Sequence, residues 1–211
     1  MPNWCNNFIR ISHQDKTLID AIEATTGTEN GVLATVLPCP EELNDPDLTT
    51  WSGDREEELE AKKKAMKEKY GYESWYDWNI AHWGTKWDLC EPQITRVDDN
   101  TVEISCDTAW SPPIAAYEAM LEKGYEIEAY YYEPGMCFAG IWDNGVDDCY
   151  QDWGNSATAR ATLPQELDDM FGISDSLEEY EEEERREEEL YRWTVEGAEQ
   201  RKTKVVDNLD E

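Results

Sequence analysis

Forty-nine acidic residues against eighteen basic ones, a formal net charge of −31, leave this chain little material for a core. Its apolar share is 39%, but ten Trp and eleven Tyr are included in the sequence. Large rings bury much area each, so a core is feasible despite the polar average. A length of 211 residues allows one ordinary domain with an appendage, or two small ones.

The charge also bounds function. Nucleic-acid binding works by Lys and Arg displacing counterions from a polyanion, and this surface offers the opposite sign. Anionic membranes repel it for the same reason. A basic protein surface attracts it and steers the encounter. The expected partner is therefore a basic protein or nucleoprotein complex, with no direct nucleic acid and no membrane. The amino terminus lacks the basic start and apolar stretch of a signal peptide, so the expected setting is the cytoplasm. Cys5, Cys39, Cys90, Cys106, Cys137 and Cys149 form no Cys-x-x-Cys pair. In that compartment they read as free, mostly buried thiols.

Apolar periodicity and turn residues predict strands over Trp4 to Ser12, Val32 to Leu37, Pro92 to Val97, Thr101 to Thr108, Glu126 to Glu133, Met136 to Trp142 and Val146 to Trp153. Helices are expected from Asp15 or Thr17 to Thr25, over Asp54 to Tyr70, and from Pro112-Pro113 to Lys123. A short one is expected over Pro164 to Phe171 and a long acidic one over Leu177 to Gln200. The order implies an α+β fold. It reads as a ferredoxin-like plait with a helical, Trp-rich insertion at 41–91, extra C-terminal strands and an acidic C-terminal helix. The domain reading is 1–162 for the plait and 163–211 for the extension.

Several constellations carry potential chemistry. Trp4, Trp75, Trp78, Trp83, Trp87 and Trp110 either line a cleft that stacks a ring compound or build the core. In the first case Trp83, Lys86, Trp87 and Trp110 bind the ligand, with Lys86 meeting a phosphate. Buried indole N–H groups need acceptors, which Asp77, Asn79 or Asp88 can supply. His82, near Lys86 and Asp88, is a conceivable general base, though a lone His in an aromatic loop is more often structural. Asp143, Asp147, Asp148 and Asp152 surround an Asn144-Gly145 turn but lack the spacing of a calcium loop. No catalytic residue, metal ligand or cofactor is assigned.

Four segments resemble a known family: Met1-Pro-Asn-Trp-Cys-Asn-Asn, Trp83-Gly-Thr-Lys-Trp-Asp88, Thr108-Ala-Trp-Ser-Pro-Pro113 and Tyr132-Glu-Pro-Gly-Met-Cys-Phe-Ala-Gly140. Together, over roughly residues 1 to 155, they resemble the YubB-type ferredoxin-like domain family of phages and conjugative plasmids. The resemblance implies the plait and a mobile-element origin. The family is a domain of unknown function, so no catalytic residues are implied.

The carboxyl-terminal run is the sharpest feature. From Glu178 to Glu189, twelve residues hold nine Glu (178, 179, 181–184 and 187–189) and two Arg. As a helix this places one carboxylate per ~2 Å, against one phosphate per ~1.7 Å of duplex. Leu177 and Tyr180 before the run, and Leu190, Tyr191, Trp193 and Val195 after it, are expected to pack on the domain or a partner. The bland alternative is a solvated helix or disordered tail. The leading expectation is a non-enzymatic phage- or plasmid-encoded inhibitor of a host defence system, such as a restriction or CRISPR effector. It would act as a DNA/RNA charge mimic through Glu178, Glu179, Glu181, Glu182, Glu183, Glu184, Glu187, Glu188 and Glu189. The alternative is a small-ligand, nucleotide-type binding or sequestering protein using the Trp-rich cleft.

Overall fold

The computed structural model describes residues 2–49 and 56–207, with side chains to residue 194. Asp54, the expected start of one helix, lies outside these residues, as does the Val195 side chain. The chain divides into two compact units, Met1–Gln151 and Asp152–Glu211.

The first unit is built on β1 (Trp4–Ser12), whose alternation buries Cys5, Asn7, Ile9 and Ile11 on one face. Next come α1 (Lys16–Glu23), α2 (Val32–Val36), α3 (Glu56–Tyr70) and α4 (Trp75–Trp83). The hairpin β2 (Cys90–Asp98) and β3 (Thr101–Ala109) follows, then α5 (Ile114–Glu122), β4 (Glu126–Glu133), β5 (Phe138–Asp143) and β6 (Val146–Gln151). The sheet order is β2-β3-β1-β4-β5-β6, and every neighbouring pair is antiparallel. Its first four strands, with the α1 and α5 crossovers, reproduce the ferredoxin-like plait, and β5 and β6 extend it. The fold is α+β. In register, Ile9 lies between Ile104 and Ala129, and Ile11 between Val102 and Ile127. These residues join Ile19, Ile22, Tyr117, Met120 and Trp142 in one core. Both edge strands are largely exposed, and β6 carries Asp147 and Asp148, charges that discourage pairing with another chain.

One expected strand is a helix. The apolar run Val32 to Leu37 predicts the plait's second strand, but Val32–Val36 is α2. A five-residue apolar run has too few positions to show its period. What decides it lies far away in sequence. The Asp88 carboxylate accepts hydrogen bonds from the Leu33 and Ala34 N–H groups at 3.0 and 2.7 Å. These are unpaired donors of a first helical turn. The second plait strand is Cys90–Asp98, so the insertion at 41–91 sits within the first crossover rather than after strand two.

The second unit contains α6 (Ser156–Thr162), α7 (Gln165–Phe171) and α8 (Ile173–Asp207). This division falls after Gln151, whereas the sequence reading places the boundary at 162. The reason is α6, which sequence reading did not find. It is tied to α8 by Ser156 and Arg160. All six thiols are free, as expected, but fewer are buried: Cys5 and Cys106 are buried, Cys39 and Cys90 half-buried, and Cys137 and Cys149 exposed. Burial pushes the Cys5 thiol up to about 12, so it stays a protonated core group.

A Cβ on Gly31 would lie 2.1 Å from Asp88 Oδ2. Gly31→Ala is therefore expected to displace the carboxylate from α2 and destabilise the first unit by about 1–3 kcal/mol. Urea denaturation followed by Trp fluorescence measures this directly.

Candidate functional site

Two features qualify, one in each unit. The first is a cleft of about 910 Å³ in the plait. One wall is helical: Trp75, Asn79 and Trp83, at i, i+4 and i+8, share a face of α4 that lines the cleft. The others are the Thr25–Gly31 loop after α1 and the segment from Trp87 to Pro92 that enters β2. Asp88 joins these walls, because its carboxylate holds the first turn of α2. Desolvation raises its pKa above the ordinary aspartate value, and the Ala34, Leu33 and Leu89 N–H groups counteract the rise.

The four predicted ligand residues do not act as one set. Trp83 is buried, and its Nε1–H donates to the Leu37 carbonyl at 3.0 Å. It is a core residue whose edge reaches the cleft, and its acceptor is a backbone carbonyl rather than Asp77, Asn79 or Asp88. Trp87 lines the cleft and is partly exposed. Lys86 and Trp110 stand outside the cleft lining. The Lys86 ammonium lies 4.5 Å from the Trp87 ring centre, 5.6 Å from Tyr76 and 5.9 Å from Trp110. It is a cation held among aromatic faces. Trp4 adds a fourth ring, 6.1 Å from Trp87. The phosphate contact expected of Lys86 has no counterpart inside the cleft, whose lining contains no cation. Trp78 and His82 stack at 4.3 Å, and Tyr72 meets His82 edge-on at 5.3 Å. His82 is thus an aromatic packing partner.

The motif segments also meet structurally. Thr85 Oγ1 donates to the Ala109 carbonyl and Ser111 Oγ to that of Gly84. Asn7 Nδ2 donates to Thr108 Oγ1, and the Trp110 N–H to the Asn3 carbonyl. These bonds fasten the strand ends beside the aromatic cluster. At the hairpin, Asp147 accepts from the Tyr131 hydroxyl at 2.7 Å, and Asp143 from Asn144 Nδ2 at 2.9 Å. Among the described residues, no group of three or more His, Cys, Asp or Glu is placed to hold a metal ion.

The second feature is α8, about 52 Å long at 35 residues. Its nine predicted carboxylates divide by role. Glu181 accepts from the Ser156 N–H at 2.7 Å and Ser156 Oγ at 2.9 Å, capping α6. Those two bonds hold its pKa below the ordinary glutamate value. Glu178 and Asp175 pair with Arg160. Glu182 pairs with Arg186, and Glu184 accepts from the Tyr180 hydroxyl. Glu179, Glu183, Glu187, Glu188 and Glu189 are exposed, and at 100° per residue they point around the helix. Leu190, Tyr191 and Trp193, expected to pack, are 62–72% exposed.

No family model and no curated relative matches the sequence. A solved structure similar to part of the chain is that of a protein api92 from Yersinia pseudotuberculosis, described with the family model DUF1281. Its identity is 13% and its TM-score 0.37, over 72% of this chain and 98% of that one. No helix among the described residues is long and apolar enough to cross a membrane.

Glu181→Ala is expected to destabilise the second unit, because the Ser156 N–H and hydroxyl lose their acceptor. A glutamate with a depressed folded pKa contributes its stability above the unfolded value and loses it as pH falls through the folded one. The difference between wild type and variant should therefore shrink in acid, below the ordinary glutamate range. Hydrogen exchange of α6 amides across pH reads both effects.

Proposed function

We propose that the protein is a non-enzymatic binding protein that occupies the basic, nucleic-acid-binding surface of a partner as a charge mimic. The observation carrying this reading is the exposed stretch of α8 from Glu182 to Glu189, whose carboxylates point in all directions around a regular helix. Their spacing approaches that of phosphates along a duplex.

The state of the cations supports the same reading. Lys16 pairs with Asp20, Lys62 with Asp45 and Asp47, Lys67 with Glu73, and Lys69 with Glu42. Arg96 pairs with Asp20 and Glu23. These pairs are partly exposed and contribute little stability each. Their effect on function is larger: among the described residues they engage many of the cations that could draw in a polyanion. A surface of this kind is steered towards basic partners, with strong salt dependence. The motif resemblance to phage and plasmid families motivates the setting, a host defence complex with a basic nucleic-acid groove, in the host cytoplasm.

The full-length protein, used as bait in host lysate, is expected to capture a nucleic-acid-binding complex that added duplex DNA releases and moderate salt elutes. Replacing Glu183, Glu187, Glu188 and Glu189 together by Gln should weaken capture at least tenfold. Glu181 is left intact, because it caps α6. Capture indifferent to DNA and to the four substitutions would remove the proposal.

A further inference from the structure

Exposed large apolar side chains are ordinary when scattered and informative when clustered. In the first unit the most exposed ones, Met136 and Val146, stand apart, in a turn and at a strand end. On α8, Leu190, Tyr191 and Trp193 are 62%, 72% and 71% exposed within a single helical turn. Trp and Tyr are the residue types that most often carry the energy of a protein interface.

These side chains share their side of the helix with acid. At ~100° per residue, Leu190 lies roughly in line with Glu183 and Glu187, and Tyr191 and Trp193 stand about 80° to either side of that line. Glu183 and Glu187 are exposed. Arg186, on the same side, is engaged by Glu182 at 2.9 Å. The Thr194 hydroxyl turns back to the Leu190 carbonyl at 2.8 Å. The face therefore offers carboxylates at one end and bare apolar surface at the other, over ~15 Å from Glu183 to Trp193. Charge decides what covers it. A second copy would set the same carboxylates, on a chain of net charge −31, against each other. An anionic membrane would be repelled. A basic protein surface complements the acid end, and an apolar pocket beside it complements the other.

We infer that Leu190, Tyr191 and Trp193 are the apolar anchor of the partner interface, and that the surface α8 occupies is a basic groove bordered by an apolar pocket. The inference rests on the binding role proposed for α8 and adds a division of labour to it. The carboxylates steer the encounter, and their contribution fades as salt screens it. The anchor is buried in the pocket, slows dissociation and is insensitive to that screening. This is recognition of a helix by a groove, with anchors spaced along one face. A helix carrying charge alone would suit any protein that binds polyanions. An anchor at a fixed distance from the charge selects the partners that have a pocket there.

The test is calorimetric titration of the full-length protein at several salt concentrations. The probes are two helical peptides of equal length and charge, one of Lys and Leu with the Leu residues on one face, the other with Ala in place of Leu. Ala and Leu are both strong helix formers, so the pair differs in apolar bulk rather than in helicity. The Lys-Leu peptide is expected to bind at least tenfold more tightly, and the ratio should persist as salt rises while both affinities fall. The triple variant Leu190→Gln, Tyr191→Gln, Trp193→Gln alters only exposed side chains and keeps good helix formers. It should bring the ratio to within twofold and leave the Lys-Ala affinity and its salt dependence unchanged. Equal affinity of the two peptides for the wild type, a ratio that disappears with salt, or a ratio unchanged in the triple variant would overturn the anchor. Replacing Glu183, Glu187, Glu188 and Glu189 by Gln should weaken both peptides and flatten the salt dependence while keeping the ratio. Salt dependence untouched by those four substitutions counts against the charge mimic, whereas the anchor is judged by the ratio, so the two proposals fail separately.

Discussion

The Asp88 carboxylate is the tie on which the first unit's architecture depends. Between β1 and β2 the chain makes an excursion of almost eighty residues, most of it too polar to fix its own course. Asp88, just before β2, accepts from Leu33 and Ala34 at the start of α2 and from its own neighbour Leu89. Those bonds turn a short apolar run into a helix and bring the Thr25–Gly31 loop against the entry to the hairpin. The arrangement has a cost. Burial disfavours the charged form and raises its pKa, so the stability associated with this group declines as pH rises through the folded value. Removing the side chain is no remedy, because the N–H donors it serves would lose their partner.

Electrostatics elsewhere is handled locally. Most described cations lie against carboxylates of their own chain, many within one helix or between adjacent elements. Lys86 is different. Among the described residues it has no carboxylate partner, and it sits over three aromatic rings instead. The excess acid is carried where water screens it best, on the edge strand β6 and along α8. A protein of this charge folds because its core is separated from its charge. Apolar area comes from a few large rings and β-branched residues on alternate sheet positions, which leaves the remaining surface free to be acidic.

The strands and the longer helices were legible because their periodicity is local. In β1 and β3 the buried residues alternate, and in α5 proline and Gly124 mark the two ends. What escaped sequence reading was set by distant partners. Val32–Val36 became helical through Asp88. The helix Ser156–Thr162, with Asn155 as its cap, is completed by Glu181 on α8. The candidate site was half legible. Tryptophan density pointed to the correct region, but composition does not say which rings are core and which are surface. Trp83 proved internal, and Lys86 engaged neighbouring rings rather than a ligand site. The signal that could have found the cleft was spacing: Trp75, Asn79 and Trp83 at intervals of four, one amide between two indoles on a single helix face.

That face explains why core and site are so closely joined here. The α4 helix buries Trp78 and Trp83, while Trp75 and Asn79 help to form the cleft wall. Trp83 belongs to both surfaces, and its indole N–H is satisfied by Leu37, so the wall is positioned by the packing of the core itself. A site built in this way is rigid before any ligand arrives, which reduces the ordering cost of binding. The charged residues of its lining, Glu29, Asp88 and Glu91, are all acidic, so the same walls that the core positions also repel anions.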